Sequence, residues 1–183
     1  MSNDIGPALL LIARKAIAEK LGVAYAADPP SQPELTSFGA TFVTLMEHGQ
    51  LRGCIGSLEA LRPLRDDVAA NARAAAFSDT RFEPLQAKDF AEISVEVSLL
   101  SRAQPMSFSS EEDALRQLRP NVDGLILECG RHRATFLPQV WESLSEPRQF
   151  MAQLKRKADL PATFWSDDVR LSCYTVDKWK EQK

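Results

Sequence analysis

The chain has 183 residues, of which 44% are apolar and 26% are charged, and its net charge is −3 at pH 7. This composition excludes wholesale disorder, a collagen-like repeat and a coiled coil, and the length suits one compact domain spanning residues 1–183. The acidic balance argues against a dedicated nucleic-acid-binding protein, because phosphate groups are neutralised by clustered basic surface.

The N-terminal segment predicts an amphipathic helix, not a membrane anchor or a secretory signal. Its longest apolar run, residues 8–13, is far shorter than the ~20 residues that span a bilayer, and Arg14 and Lys15 follow it at once. Apolar side chains at helical spacing continue beyond this point, and Gly22 supplies a stop signal. We therefore expect a helix over residues 8–21 in a cytoplasmic protein that has no membrane segment.

A proline-rich loop and a β-hairpin follow the first helix. Residues 28–37 contain three prolines, which fix the backbone and remove hydrogen-bond donors, so an extended loop is expected. Residues 42–46 and 51–55 are short β-prone runs. The four residues between these runs, 47–50, have the length and composition of a hairpin connection.

An alanine-rich helix and an alternating strand complete the N-terminal half. Pro63 fits the first turn of a helix over residues 64–77, and Asp66 and Asp67 stand where the helix dipole favours negative charge. Residues 93–99 alternate apolar and polar side chains, which predicts a strand with one apolar and one polar face.

The C-terminal half continues to mix helices with antiparallel strands. It predicts a capped helix at 110–118, a hairpin formed by 125–129 and 132–137, a helix at 149–158 and a closing strand at 169–176. This order indicates the α+β class, in which antiparallel hairpins pack with helices.

The most unusual stretch is Leu-Arg-Gly-Cys-Ile-Gly at residues 51–56. Glycine weakens a strand, and Gly53 and Gly56 therefore point to a bulge or to the close approach of a backbone or a ligand. Strand alternation places Arg52 and Cys54 on the same face. Because burying an unpaired guanidinium is costly, this face either lines a cleft or gives Arg52 a carboxylate partner.

The shared face supports two interpretations of Cys54. A neighbouring arginine would lower the pKa of the thiol and favour the reactive thiolate. Alternatively, Cys54 is a small buried apolar side chain on a tightly packed strand, as many free cysteines are.

Three further charged residues are candidates for the same site. Asp79 and Arg81 follow the alanine-rich helix, and they form either a structural ion pair or a group that holds a carboxylate or phosphate. Glu96 lies on the polar face of its strand. It is a solvated strand residue, a general acid or base, or the partner of Arg52.

The remaining cysteines and histidines do not form a recognisable site. Cys129 and Cys173 are far from Cys54 and from each other in the sequence, so we expect free thiols and no structural zinc or iron–sulfur site. His48 and His132 lack metal-ligand spacing and fit surface turns. No phosphate loop or dinucleotide fingerprint is present, and the sequence does not identify a cofactor.

The chain resembles the AMMECR family, specifically the type called AmmeMemoRadiSam system protein A. The hexapeptide at residues 51–56 carries this resemblance, and shorter matching motifs follow the family's order through most of the chain. These motifs lie at residues 39–45, 79–82 with Pro84, 96–98, 123–125, 136–140 and 157–165. Residues 141–147 depart from the family pattern.

The resemblance implies an α+β domain with a larger and a smaller subdomain and with the hexapeptide near the cleft between them. It also implies a Memo-like protein and a radical S-adenosylmethionine enzyme as partners, and it specifies no reaction.

Two functional hypotheses remain. In the first, the chain is a small-molecule enzyme or enzyme component in which Cys54 acts as nucleophile or acid/base and Glu96 assists. An unknown anionic substrate would then be bound by residues of the hexapeptide and of the following loop: Arg52, Gly53, Gly56, Asp79 and Arg81. In the second, the chain is a non-catalytic adaptor whose glycine-flanked strand serves packing or docking.

Overall fold

The computed structural model describes residues 4–182, which form two compact units. The first unit runs to Leu100 and also includes the segment that begins at Asp177, and the second unit is Ser101–Val176. Both contain antiparallel sheet and helix. The predicted α+β class and the division into a larger and a smaller subdomain are thereby confirmed.

The first unit is a sheet covered on one face by two helices. Its sheet has the strand order β2, β1, β4, β9, and the short β3 pairs with β1. The elements are α1 Gly6–Leu21, β1 Phe38–Glu47, β2 Gln50–Gly56, β3 Arg62–Pro63, α2 Leu64–Phe77, β4 Ile93–Leu100 and β9 Val176–Lys180.

Alternation along the strands separates a core face from a polar face. Val43, Leu45, Val95 and Val97 are fully buried, and they share one hydrophobic cluster with the apolar side chains of α1 and α2. The intervening residues of β1 and β4, among them Thr44, are half-buried on the opposite face. The sheet therefore presents polar groups on the face away from the helices.

Several sequence predictions for this unit are confirmed closely. The helix predicted over residues 64–77 has those bounds, although Pro63 is its N-cap and does not lie inside the first turn. The hairpin turns at His48 and Gly49, whose φ angles of 50° and 78° suit a tight two-residue connection. The expected loop at residues 28–37 includes a short 3-10 helix, Pro33–Thr36.

The second unit has its own sheet and core. Its strand order is β5, β8, β6, β7. The elements are β5 Gln104–Pro105, α3 Glu111–Gln117, β6 Gly124–Cys129, β7 His132–Phe136, α4 Pro147–Lys157 and β8 Arg170–Tyr174. In the core, the Trp141 and Phe150 rings stack 3.8 Å apart, and Trp141 Nε1 donates to the carbonyl of Asp123.

The predicted closing strand at residues 169–176 is confirmed over residues 170–174, but it does not continue to residue 176 as one strand. The chain forms β8 over Arg170–Tyr174, which pairs with β6, and then begins β9 at Val176, which belongs to the other sheet. A continuous β-prone run does not reveal where a chain leaves one sheet for another, because side-chain alternation continues across the break.

A helix that crosses a membrane must be both long and apolar. None of the helices within residues 4–182 meets both requirements.

Candidate functional site

The hexapeptide forms most of β2, at the edge of the first sheet. Cys54 lies opposite Thr44 and Gly53 opposite Leu45, and a bulge then leaves Arg52 without a partner residue on β1. Thr44 Oγ1 donates a hydrogen bond to Cys54 Sγ at 3.2 Å. Cys54 therefore projects from the polar face of the sheet.

The two glycines of the hexapeptide allow close packing inside the first unit. A Cβ atom at Gly53 would lie 2.2 Å from the carbonyl oxygen of Ala75 in α2, and one at Gly56 would lie 2.2 Å from the Phe42 ring. The close approach that the sequence predicted is thus to helix backbone and to an aromatic ring. The contacts give both glycines a packing role.

An ion pair covers the exposed backbone of Cys54. Its N–H donates to Asp79 Oδ2 at 3.0 Å, and its carbonyl accepts from Arg81 Nη2 at 3.4 Å. Arg81 also binds the Asp79 carboxylate through Nε and Nη2, at 3.0 and 2.7 Å. Because Cys54 belongs to an edge strand, these bonds replace those that a further strand would make.

The environment of Asp79 stabilises its charged form. The Arg81 guanidinium, and then the backbone N–H groups of Cys54 and Arg81, hold the pKa of the Asp79 carboxyl below its usual range against the opposing effect of burial. The Asp79 side chain is buried, whereas 55% of the Arg81 side chain is exposed. The ion pair therefore consists of a buried carboxylate and a guanidinium that is accessible to solvent.

Arg52 has a carboxylate partner, and that partner is Glu47. Arg52 Nε lies 3.4 Å from Glu47 Oε2, and its Nη1 donates to the carbonyl of Glu83 at 2.8 Å. Glu96, which the sequence analysis named as a possible partner, does not bind this guanidinium. Glu47 and Arg52 lie on opposite sides of the hairpin turn, and Arg52 is the bulged residue.

Three side chains form a row across the polar face, which we call the Cys54 row. Thr44 lies opposite Cys54 on one side and opposite Glu96 of β4 on the other. All three are half-buried. Since neighbouring strands are about 4.8 Å apart, the backbones of Cys54 and Glu96 are separated by roughly 10 Å.

The sequence analysis missed a buried polar cluster on the opposite face, which we call the Asp67 cluster. Asp67 Oδ2 accepts from the backbone N–H and the hydroxyl of Thr41, at 2.8 and 2.7 Å, and from Asn71. Asp67 Oδ1 accepts from Ser57 and Arg62 at 2.7 and 2.8 Å. The signal was the i, i+4 pair of Asp67 and Asn71 on a helix otherwise rich in alanine.

The three cysteines are free and half-buried, and they differ in environment. Burial raises the pKa of the Cys173 thiol to about 11, and the charge of Asp123 adds to this effect. Cys129 Sγ lies 3.9 Å from the hydroxyl of Ser166. Among residues 4–182, no three His, Cys, Asp or Glu side chains converge as a metal site.

A comparison with protein-family models assigns the chain to a family. The model described as AMMECR1 matches residues 10–179. The chain belongs to the AMMECR1 family. This confirms the resemblance to the AMMECR family that rested on the hexapeptide, and the match extends across both units of the chain.

Individual AMMECR1 relatives support the same conclusion. Protein LS215_2104 of Saccharolobus islandicus is 38% identical over 175 residues, which cover 92% of this chain and 77% of that protein. A protein of Methanothermobacter thermautotrophicus is 37% identical over 179 residues, which cover 93% of this chain and 91% of that protein.

A solved structure has the same AMMECR1 fold. The crystal structure of Uncharacterized Protein PH0010 from Pyrococcus horikoshii has a TM-score of 0.79 and 30% sequence identity. The match covers 100% of this chain and 94% of that chain.

Proposed function

We propose that the chain is a small-molecule enzyme, or a component of one, in which Cys54 acts as nucleophile or acid/base. The observation that carries this proposal is the fixed position of Cys54. Asp79 and Arg81 hold its backbone, and Thr44 donates to its sulfur. Supporting bonds of this kind suit a reacting group, because catalysis depends on its placement to within a fraction of an ångström.

The Cys54 row contains groups for both nucleophilic and proton-transfer chemistry. The hydroxyl bond from Thr44 supports a nucleophilic sulfur, since a thiolate accepts hydrogen bonds more strongly than a thiol does. Glu96 is the third member of the row, and we propose that it assists by accepting or donating a proton.

We propose that Arg81 binds an anionic group of the substrate, with Arg52 nearby. Arg81 uses Nε and Nη2 for Asp79 and Cys54, and among the described residues its Nη1 has no hydrogen-bond acceptor. Its exposed fork is suited to a carboxylate or phosphate. Asp79 fixes the fork in place.

Alkylation rates test whether Cys54 is reactive. The double variant Cys129→Ser, Cys173→Ser keeps Cys54 alone, and we expect iodoacetamide at neutral pH to modify it several times faster than a cysteine in an unstructured peptide. The matched control keeps only Cys173, whose raised pKa predicts slow modification. If Cys54 reacts more slowly than the peptide thiol, its use as an activated nucleophile is refuted.

We also propose that the chain works in the cytoplasm with a Memo-like protein and a radical S-adenosylmethionine enzyme, as an AmmeMemoRadiSam protein A and as a single functional domain. The family match across residues 10–179 supports treating both units together. We expect Cys54→Ser to preserve thermal stability and partner binding while abolishing turnover by the assembled proteins. Unchanged turnover would argue against the enzyme proposal.

An adaptor is the second candidate, and exposed apolar side chains favour it. Phe38 and Leu61 of the first unit are 65% and 74% exposed. Substitutions at Gly53 or Gly56 do not test docking, because an added Cβ would collide with the unit's own atoms. The double variant Phe38→Ser, Leu61→Ser tests it: loss of partner binding, together with full turnover by Cys54→Ser, would establish the adaptor.

A further inference from the structure

Glu96 differs from the other buried or half-buried carboxylates of the first unit in that it lacks a bonding partner among the described residues. Of the six acidic side chains there that are buried or half-buried, five have a hydrogen-bonding or ionic partner. These five are Glu47, Asp67, Asp79, Asp89 and Glu181. Glu96 makes no such contact within residues 4–182, although it projects from the same face as Cys54.

The charges around Cys54 leave Glu96 uncompensated. Asp79 pairs with Arg81 and Glu47 pairs with Arg52, so neither guanidinium compensates Glu96, although Arg81 keeps an exposed Nη1 without an acceptor among the described residues. The lysines of the neighbouring strand β9, Lys178 and Lys180, are exposed and form no ion pair with Glu96. The polar face near Cys54 therefore has one unmatched negative charge, which a positively charged ligand group would complement.

We infer that the ligand of this site is an elongated zwitterion whose protonated amine binds Glu96 and whose anionic end binds Arg81. This inference rests on the proposed function and deepens it by defining the substrate class. Glu96 lies two strands from Cys54, and Arg81 lies beyond Cys54 at the sheet edge. The charged ends of the ligand are thus separated by more than roughly 10 Å, because two strand spacings already separate Glu96 from Cys54. The middle of the ligand lies over Thr44 and Cys54.

This separation favours a short extended peptide over a single amino acid. An extended chain advances about 3.4 Å per residue, so a peptide of about three residues is the shortest that reaches from one charged group to the other.

Binding of triglycine tests the inference without depending on cysteine chemistry. We use the full chain with Cys54→Ser and measure binding by calorimetry for triglycine, glycine and N-acetyltriglycine, which lacks the amine. Triglycine should bind about tenfold more tightly than either control, as expected for one charge-assisted contact. Glu96→Gln should weaken triglycine binding about tenfold and leave N-acetyltriglycine binding unchanged.

Glu128→Gln in the second unit is the matched control for the charge change, and it should leave triglycine binding unaltered. Equal binding of triglycine and N-acetyltriglycine, no effect of Glu96→Gln, or no triglycine binding would each overturn the inference. Alkylation of Cys54 in the single-cysteine protein reports separately on the proposed function, so the two failures are distinguishable.

Discussion

The two faces of β1 use polar residues in opposite ways. On the helix face, Thr41 is fully buried and belongs to the Asp67 cluster, whose central carboxylate accepts five hydrogen bonds. On the other face, Thr44 belongs to the half-buried Cys54 row, where the carboxylate of Glu96 has no partner among the described residues. The same strand thus contributes to a polar cluster whose carboxylate is hydrogen-bonded and to a polar row whose carboxylate has no partner among the described residues.

This difference separates stabilisation from ligand binding. A buried polar group that is fully hydrogen-bonded holds elements together and has no capacity left for a ligand. A polar group that the fold leaves unmatched adds little to stability and retains its capacity to bind. Mutations in the two groups should therefore have different effects on unfolding, and three measurements test this.

The largest effect is expected for Asp67→Ala. Removing this carboxylate leaves the buried N–H and hydroxyl of Thr41 without acceptors, which should cost about 3 kcal/mol of unfolding free energy. Chemical denaturation at an unchanged m-value measures the loss. The exposed neighbour Asp66 is the control, and Asp66→Ala should cost about 0.5 kcal/mol. Equal losses for the two variants would contradict the structural role of the cluster.

A smaller, pH-dependent effect is expected for Asp79→Asn. The folded-state pKa of Asp79 is lowered, so its contribution to stability is present above the unfolded pKa of about 3.9 and is lost as pH falls through the folded value. The stability difference between wild type and variant should be largest at neutral pH and smaller near pH 3. Parallel denaturation series at the two pH values measure it. A constant difference would show that the Asp79 charge is not involved.

The smallest effect on folding is expected for Glu96→Gln. Because Glu96 has no partner to lose within residues 4–182, the free energy of unfolding should change by no more than about 0.5 kcal/mol. The same denaturation experiment measures this change. A loss comparable to that of Asp67→Ala would place Glu96 among the structural residues and remove the distinction between the two faces.

Local signals in the sequence predict much of this fold. The alanine-rich run after Pro63 predicts α2 with the bounds that the structure has, because composition and terminal residues agree. The glycines at positions 53 and 56 predict close approach, and the contacts with Ala75 and Phe42 confirm it. These predictions succeed because each depends on a few neighbouring residues.

Predictions fail where distant segments determine the outcome. The Asp67 cluster joins Thr41 of β1, Asn71 of α2 and Ser57 in the loop after β2, and no local pattern links these three positions. The partner of Arg52 depends on a bulge that shifts the hairpin register. The position of Glu96 on a polar strand face could be predicted from alternation alone. That its carboxylate lacks a partner among the described residues could not, because this depends on where every charged and polar side chain lies in the folded structure.

The discontinuity of the first unit has a consequence for synthesis on the ribosome. The strand β9 completes its sheet, and Glu181 pairs with the buried Arg14. Both of these contributions to the first unit come from the segment that follows the second unit. The second unit is contiguous and has all its own strands by Val176. During translation the first unit therefore lacks β9 until the whole of the second unit has been synthesised.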